Sequence, residues 1–172
     1  MVRGASQRAS PRSGTHPLRA SVNRDTVISR ATRSANSEGY AAHRNSQRAF
    51  QKLQKNLPYE AIRWFGRSVA LLTKDEYRDE LVLALIGSSS AYEEAGLHWA
   101  ARTYALAAAS QELVPFRRTG SLQQVNPAPL SRLMVTELAL GRVPYALAAH
   151  ELAEIIRSNR TANPEQRKFA SK

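Results

Sequence analysis

The chain has 172 residues, a formal net charge of +11 and no cysteine. That length suffices for one domain with a core of its own, and the missing thiols exclude both a disulfide framework and a cysteine-ligated zinc site. No apolar run reaches the roughly 18 residues of an ordinary membrane-spanning helix, and the N-terminus lacks the apolar centre of a secretory signal, so the expected location is cytoplasmic.

Residues 1–35 carry seven Arg and one Asp, include Pro11 and Pro17, and hold little apolar material. Such a segment buries too little surface to offset the entropy of ordering, which predicts a flexible arm. Three readings of it stand open: a solvated tail, a phosphate-binding arm built on Arg3, Arg8, Arg12, Arg19, Arg24, Arg30 and Arg33, or an organellar transit peptide, a class rich in Arg and Ser and poor in acids. The second predicts nucleic-acid or ribonucleoprotein association, and the third would make the location organellar. Residues 36–158 carry 14 basic and 12 acidic side chains, and residues 159–172 form a short basic tail with Asn163-Pro164 as a breaker. The charge excess is thereby assigned to the two ends.

Helical periodicity starts near Ser37 and runs to Lys55, with Tyr40, Ala41, Ala49, Phe50 and Leu53 on or near one face. Asn56-Leu57-Pro58 breaks it, and Pro58 is well placed to open the next helix. That helix, to about Leu72, repeats Ala61, Ile62, Phe65, Val69 and Leu72 at steps of three and four. Thr73-Lys74-Asp75-Glu76 reads as a helix start with acids in the first turn. Leu81, Leu85, Ser88, Ser89 and Tyr92 then recur at helical spacing up to Ala95-Gly96, and Leu97, Ala101, Tyr104, Ala105 and Ala108 do so after it. The glycine suits a left-handed helix cap, and the small residues suit close helix contact. A connection over Val114 to Ala128 carries Pro115, Gly120 and Pro127, which argues against regular helix in its second half. A last pair begins near Leu130, breaks at Gly141, and resumes around Pro144 to Ile156.

Leu85-x2-Ser88-Ser89-x2-Tyr92, followed by Gly96 and Ala101, resembles a tetratricopeptide repeat, whose pattern is W-x2-L-G-x2-Y in the first helix and A-x3-F…P in the second. Tyr92, Gly96 and Ala101 match; Leu85, Ser88, Ser89, Ala105 and Leu113 depart from it. Leu57 to Ala61 lies 40 residues before Leu97 to Ala101, and Gly96 and Ala101 lie 45 before Gly141 and Ala146. Asn56 stands where the first pair would have its glycine, and Glu137 where the third would have its tyrosine. The period of the family is about 34, and HEAT-type pairs, with longer periods, are the structural alternative. The expected fold is all-α: three antiparallel helix pairs stacked over residues 36–158, a short solenoid with flexible basic termini.

The resemblance implies a protein–protein interaction scaffold whose first helices line a concave groove for a peptide or helix. Carried onto this chain, the groove residues are His43, Gln47 and Phe50; Leu83, Ile86, Ser90 and Glu93; and Arg132, Val135 and Ala139. One subfamily clamps the C-terminal carboxylate of heat-shock chaperones; at those places stand Ser46, Phe50, Gly87, Ala128 and Arg132, of which Arg132 alone fits. Leu152 and Ile155-Ile156 call for cover, which points to self-association, a further helix from the tail, or membership of a longer array.

His150-Glu151-Leu152-Ala153-Glu154 resembles the H-E-x-x-H zinc-protease helix with Glu154 for the second His. The residues that follow hold no third ligand except Glu165, and His150 matches Phe65 and Ala105, so it is expected to pack. Ser88-Ser89-Ser90 and the paired acids Asp79-Glu80 and Glu93-Glu94 read as packing and solvated residues. No catalytic residue, metal or cofactor is expected, and the chain is not read as an enzyme. Trp64 with Tyr104, and Tyr59 with Trp99, occupy equivalent places and read as packing between helices, with an exposed partner anchor as the alternative.

Overall fold

Three backbone turns of one design set the architecture. In the computed structural model, residues 24–161 are described, with side chains over 37–160. Helix α1 (Arg24–Gln54) is followed by α2 (Pro58–Leu71), α3 (Arg78–Glu94) by α4 (His98–Glu112), and, after the short α5 (Val114–Thr119), α6 (Ala128–Ala139) by α7 (Val143–Thr161). Among the described residues there is no strand, and the fold is all-α.

Each pair is joined by three residues whose middle one has positive φ: Asn56 at 55°, Gly96 at 75° and Gly141 at 69°. The two hydrogen bonds of a Schellman cap close all three turns. Leu57 N–H donates to Lys52 O at 3.0 Å, Leu97 to Tyr92 at 2.8 Å and Arg142 to Glu137 at 2.8 Å; inside them Asn56 donates to Leu53, Gly96 to Glu93 and Gly141 to Leu138. Asparagine is among the residues that visit the left-handed region with least strain, which is why Asn56 can serve where the other turns use glycine.

Each hairpin packs on the next, α2 against α3 and α4 against α6, while α1 lies beside α3 and α3 beside α6. The first core gathers Ala42, Ala49, Ala61, Phe65, Leu72, Ala84 and Ala91. Phe65 is fully buried because α3 offers it Gly87: a Cβ on Gly87 would stand 2.3 Å from the Phe65 ring. The second core gathers Ala109, Val125, Leu130, Ala153 and Ile156, with Leu113, Leu122, Leu133 and Leu152 packed around it.

Helix α1 begins at Arg24, inside the stretch expected as an arm. Three expectations are corrected. His150 is exposed, and Ala149 takes the buried place beside Ala146, Ala153 and Ile156; α7 steps by three after Ala146 where α2 steps by four after Ala61, and both steps keep to one helix face. Cover for the last helix comes partly from the connection, since Val125 is fully buried against the core that holds Ile156, while Ile155 stays exposed. Tyr59 and Trp99 are 65% and 62% exposed, so neither packs between helices.

Candidate peptide groove

The first helices of the pairs carry the groove residues by simple periodicity. On α1, His43, Gln47 and Phe50 recur at steps of four and three and all are exposed. The His43 and Gln47 side chains hydrogen-bond at 2.9 Å. Phe50 leans edge-on against buried Phe65, ring centroids 5.0 Å apart, and leaves part of its ring open to solvent. On α3, Leu83 is exposed, and Ile86, Ser90 and Glu93 are half-buried; on α6, Arg132 is half-buried and Val135 and Ala139 are exposed.

Two halves with different chemistry result. Between α1 and α3 lies an open depression lined by His43, Ser46, Gln47, Phe50, Ser68, Leu72, Glu80 and Leu83. Its polar floor is already satisfied: Ser68 Oγ donates to Ala42 O at 2.8 Å and lies 2.8 Å from Ser46 Oγ. What the depression presents outward is the apolar Phe50–Leu83 surface rimmed by His43, Gln47 and Glu80. Between α3 and α6 the groove is closed by its own side chains. Arg132 Nε donates to Ser89 Oγ at 2.9 Å, and its guanidinium pairs with Glu93. Arg132 and Glu93 therefore act as a tie between two helices, and Arg132 is engaged where a carboxylate clamp would need it free.

No family model, curated protein or solved structure matches this chain.

Other candidate residues are scattered by the fold. His150 and Glu151 are exposed on α7, and Glu154 pairs with Arg157 on the same helix; among the described residues no three His, Asp or Glu side chains gather as a metal-binding group. Ser88 and Ser89 are buried between helices, and Ser88 Oγ donates to Ala84 O at 2.8 Å. Arg3, Arg8, Arg12 and Arg19 lie outside the described residues, whereas Arg24, Arg30 and Arg33 fall on α1. Among the described residues no helix is long and apolar enough to cross a membrane.

Sequence reasoning missed an ionic cluster at the last turn. Glu137, its side chain 3% exposed, accepts a 2.7 Å hydrogen bond from Arg102 Nε and has Arg142 Nε 2.9 Å from its second oxygen. The latter N–H is not aimed at the oxygen, so that contact is ionic. Arg142 also lies over the rings of Trp99 and Tyr145, at 5.7 and 4.2 Å. The available signal was Glu137 standing at the tyrosine position of the repeat pattern.

Proposed function

We propose that this chain is a small tetratricopeptide-like scaffold that binds a peptide or helix along the face formed by α1, α3 and α6. The observation that carries this reading is the convergence of His43, Gln47, Phe50 and Leu83, from two different helices, on one open depression with an apolar Phe50–Leu83 surface. Such a surface suits an apolar side chain of a partner inserted between Phe50 and Leu83, with rim hydrogen bonds to His43 and Gln47. The three equal turns and the neighbour-on-neighbour stacking support the repeat reading. The reading assigns no catalytic residue and no cofactor, and a cytoplasmic setting goes with it.

The test is affinity capture by the full chain, with nuclease, compared with a Leu83→Glu variant. A charge placed on the exposed Phe50–Leu83 surface should abolish capture of the same protein partner while circular dichroism stays unchanged. Undiminished capture by Leu83→Glu would remove the groove from consideration. A second reading, nucleic-acid association through the N-terminal arm, is supported by the charge of residues 1–35, and nuclease-sensitive capture would select it.

A further inference from the structure

The near balance of charge over 36–158 conceals a division. Residues 37–72, the first hairpin, carry six Arg and Lys against two Glu, whereas residues 73–158 carry eight against ten acids. Both glutamates of the hairpin are paired, Glu60 with Lys52 at 2.6 Å and Glu38 with Lys74 at 2.8 Å. Arg44, Arg48, Arg63 and Arg67 are all exposed, and none joins an ion pair among the described residues.

Three of the four rest on aromatic rings. The guanidinium carbons of Arg48 and Arg67 lie 4.9 and 4.6 Å from the Trp64 ring centre, and that of Arg44 lies 5.9 Å from the Tyr40 ring. Glu60, Arg63, Trp64 and Arg67 line a shallow depression that shares no residue with the peptide groove. A guanidinium that rests its face on a ring keeps its N–H edge free, and that edge is the part that grips phosphate.

We propose that this face of the α1–α2 hairpin binds the phosphate backbone of single-stranded nucleic acid, independently of the N-terminal arm. Arg44 and Arg48, like Arg63 and Arg67, are one turn apart, a rise of about 6 Å, comparable with the separation of successive phosphates on an extended strand. Tyr40, 66% exposed, offers a flat surface to an unpaired base at the edge of the patch. A membrane surface fits less well. Phe65 and Leu72 turn into the core, Phe50 lines the separate peptide depression, and Trp64 is half-buried beneath its arginines instead of projecting past them.

The experiment titrates the full chain into a fluorescein-labelled oligouridylate across a salt series, reading anisotropy. An R48A/R67A variant should weaken binding roughly tenfold and flatten the slope of log affinity against log salt by about 1.4, the share of two phosphate contacts on a single strand. R48K/R67K, which keeps charge and fold but loses the stacked fork, should keep the slope and still bind more weakly. R3A/R8A/R12A/R19A separates the arm: the hairpin effect must persist in that background. The proposal is overturned if R48A/R67A binds with wild-type affinity and slope, whether or not the arm variant loses binding. It is overturned equally if phosphatidylserine vesicles or polyglutamate bind as tightly as the oligouridylate and respond to R48A/R67A in the same way, for the face would then be a general anion or membrane surface.

Discussion

The joint between the first and second hairpins is centred on an apolar insertion, whereas the joint between the second and third adds buried ion pairs to its apolar core. At the first, Phe65 is inserted over Gly87 in a core of Ala42, Ala49, Ala61, Leu72, Ala84 and Ala91. At the second, Arg102 reaches from α4 to Glu137 on α6, and Arg132 reaches from α6 back to Ser89 and Glu93 on α3. One stacking geometry is thus held by two kinds of force. An apolar contact tolerates reshaping in proportion to volume, whereas a buried carboxylate between two cations is strongly exposed to loss of any one partner.

The largest effect is expected from Phe65→Ala, a loss of about 3–5 kcal/mol in chemical unfolding, because the cavity lies where α1, α2 and α3 meet. Glu137→Ala should follow at about 3 kcal/mol, leaving two arginines facing each other. Hydrogen exchange should show that loosening in α6 and α7 and spare α1 and α2. Equal loosening along the chain would mean that the two joints are not separate. Gly87→Ala should lower stability by about 1–3 kcal/mol through overpacking. Adding Phe65→Leu should cost less in that background than alone, since the two residues share one space.

Smaller effects sharpen the picture of three equal turns. Gly96→Ala and Gly141→Ala should each cost about 1–2 kcal/mol for forcing alanine into the left-handed region. Asn56→Gly should be neutral or slightly stabilising in the same thermal melts; a destabilising Asn56→Gly would show that its side chain does more than tolerate the turn. The smallest effect concerns pH. Tyr92 is stacked on Tyr104 with ring centres 5.0 Å apart, and burial, aided by their hydrogen bond, raises its pKa above the usual 10. The neutral phenol is then favoured in the folded chain; that stability is whole below the unfolded pKa and is lost as pH rises through the folded one. Tyr92→Phe should make the alkaline limb of a stability–pH curve shallower.

Elements governed by local rules could be read from sequence. Gly96, Gly141 and Pro58 mark turn and helix start by backbone geometry alone, and the spacing of 40 and 45 residues survives as the spacing of three identical caps. That His43, Gln47 and Phe50 share one exposed face of α1 was legible for the same reason, since helical period fixes which residues share a face. Features that depend on distant partners were not. Glu137 and Arg102 are 35 positions apart and Arg132 and Ser89 are 43, so nothing local distinguishes a buried carboxylate or an occupied arginine from a solvated one. Tyr59 and Trp99 were misjudged because an aromatic side chain suits a core and an exposed surface alike. The basic hairpin escaped notice because charge was averaged across hairpins of opposite sign.

The identical turns have a consequence for descent. The three turns keep one geometry although the helices flanking them differ in length, 31 and 14, 17 and 15, and 12 and 19 residues. A gene duplication copying one hairpin would carry a closed turn with it. Lengthening the array therefore demands no new turn chemistry, only a new pair of matching faces.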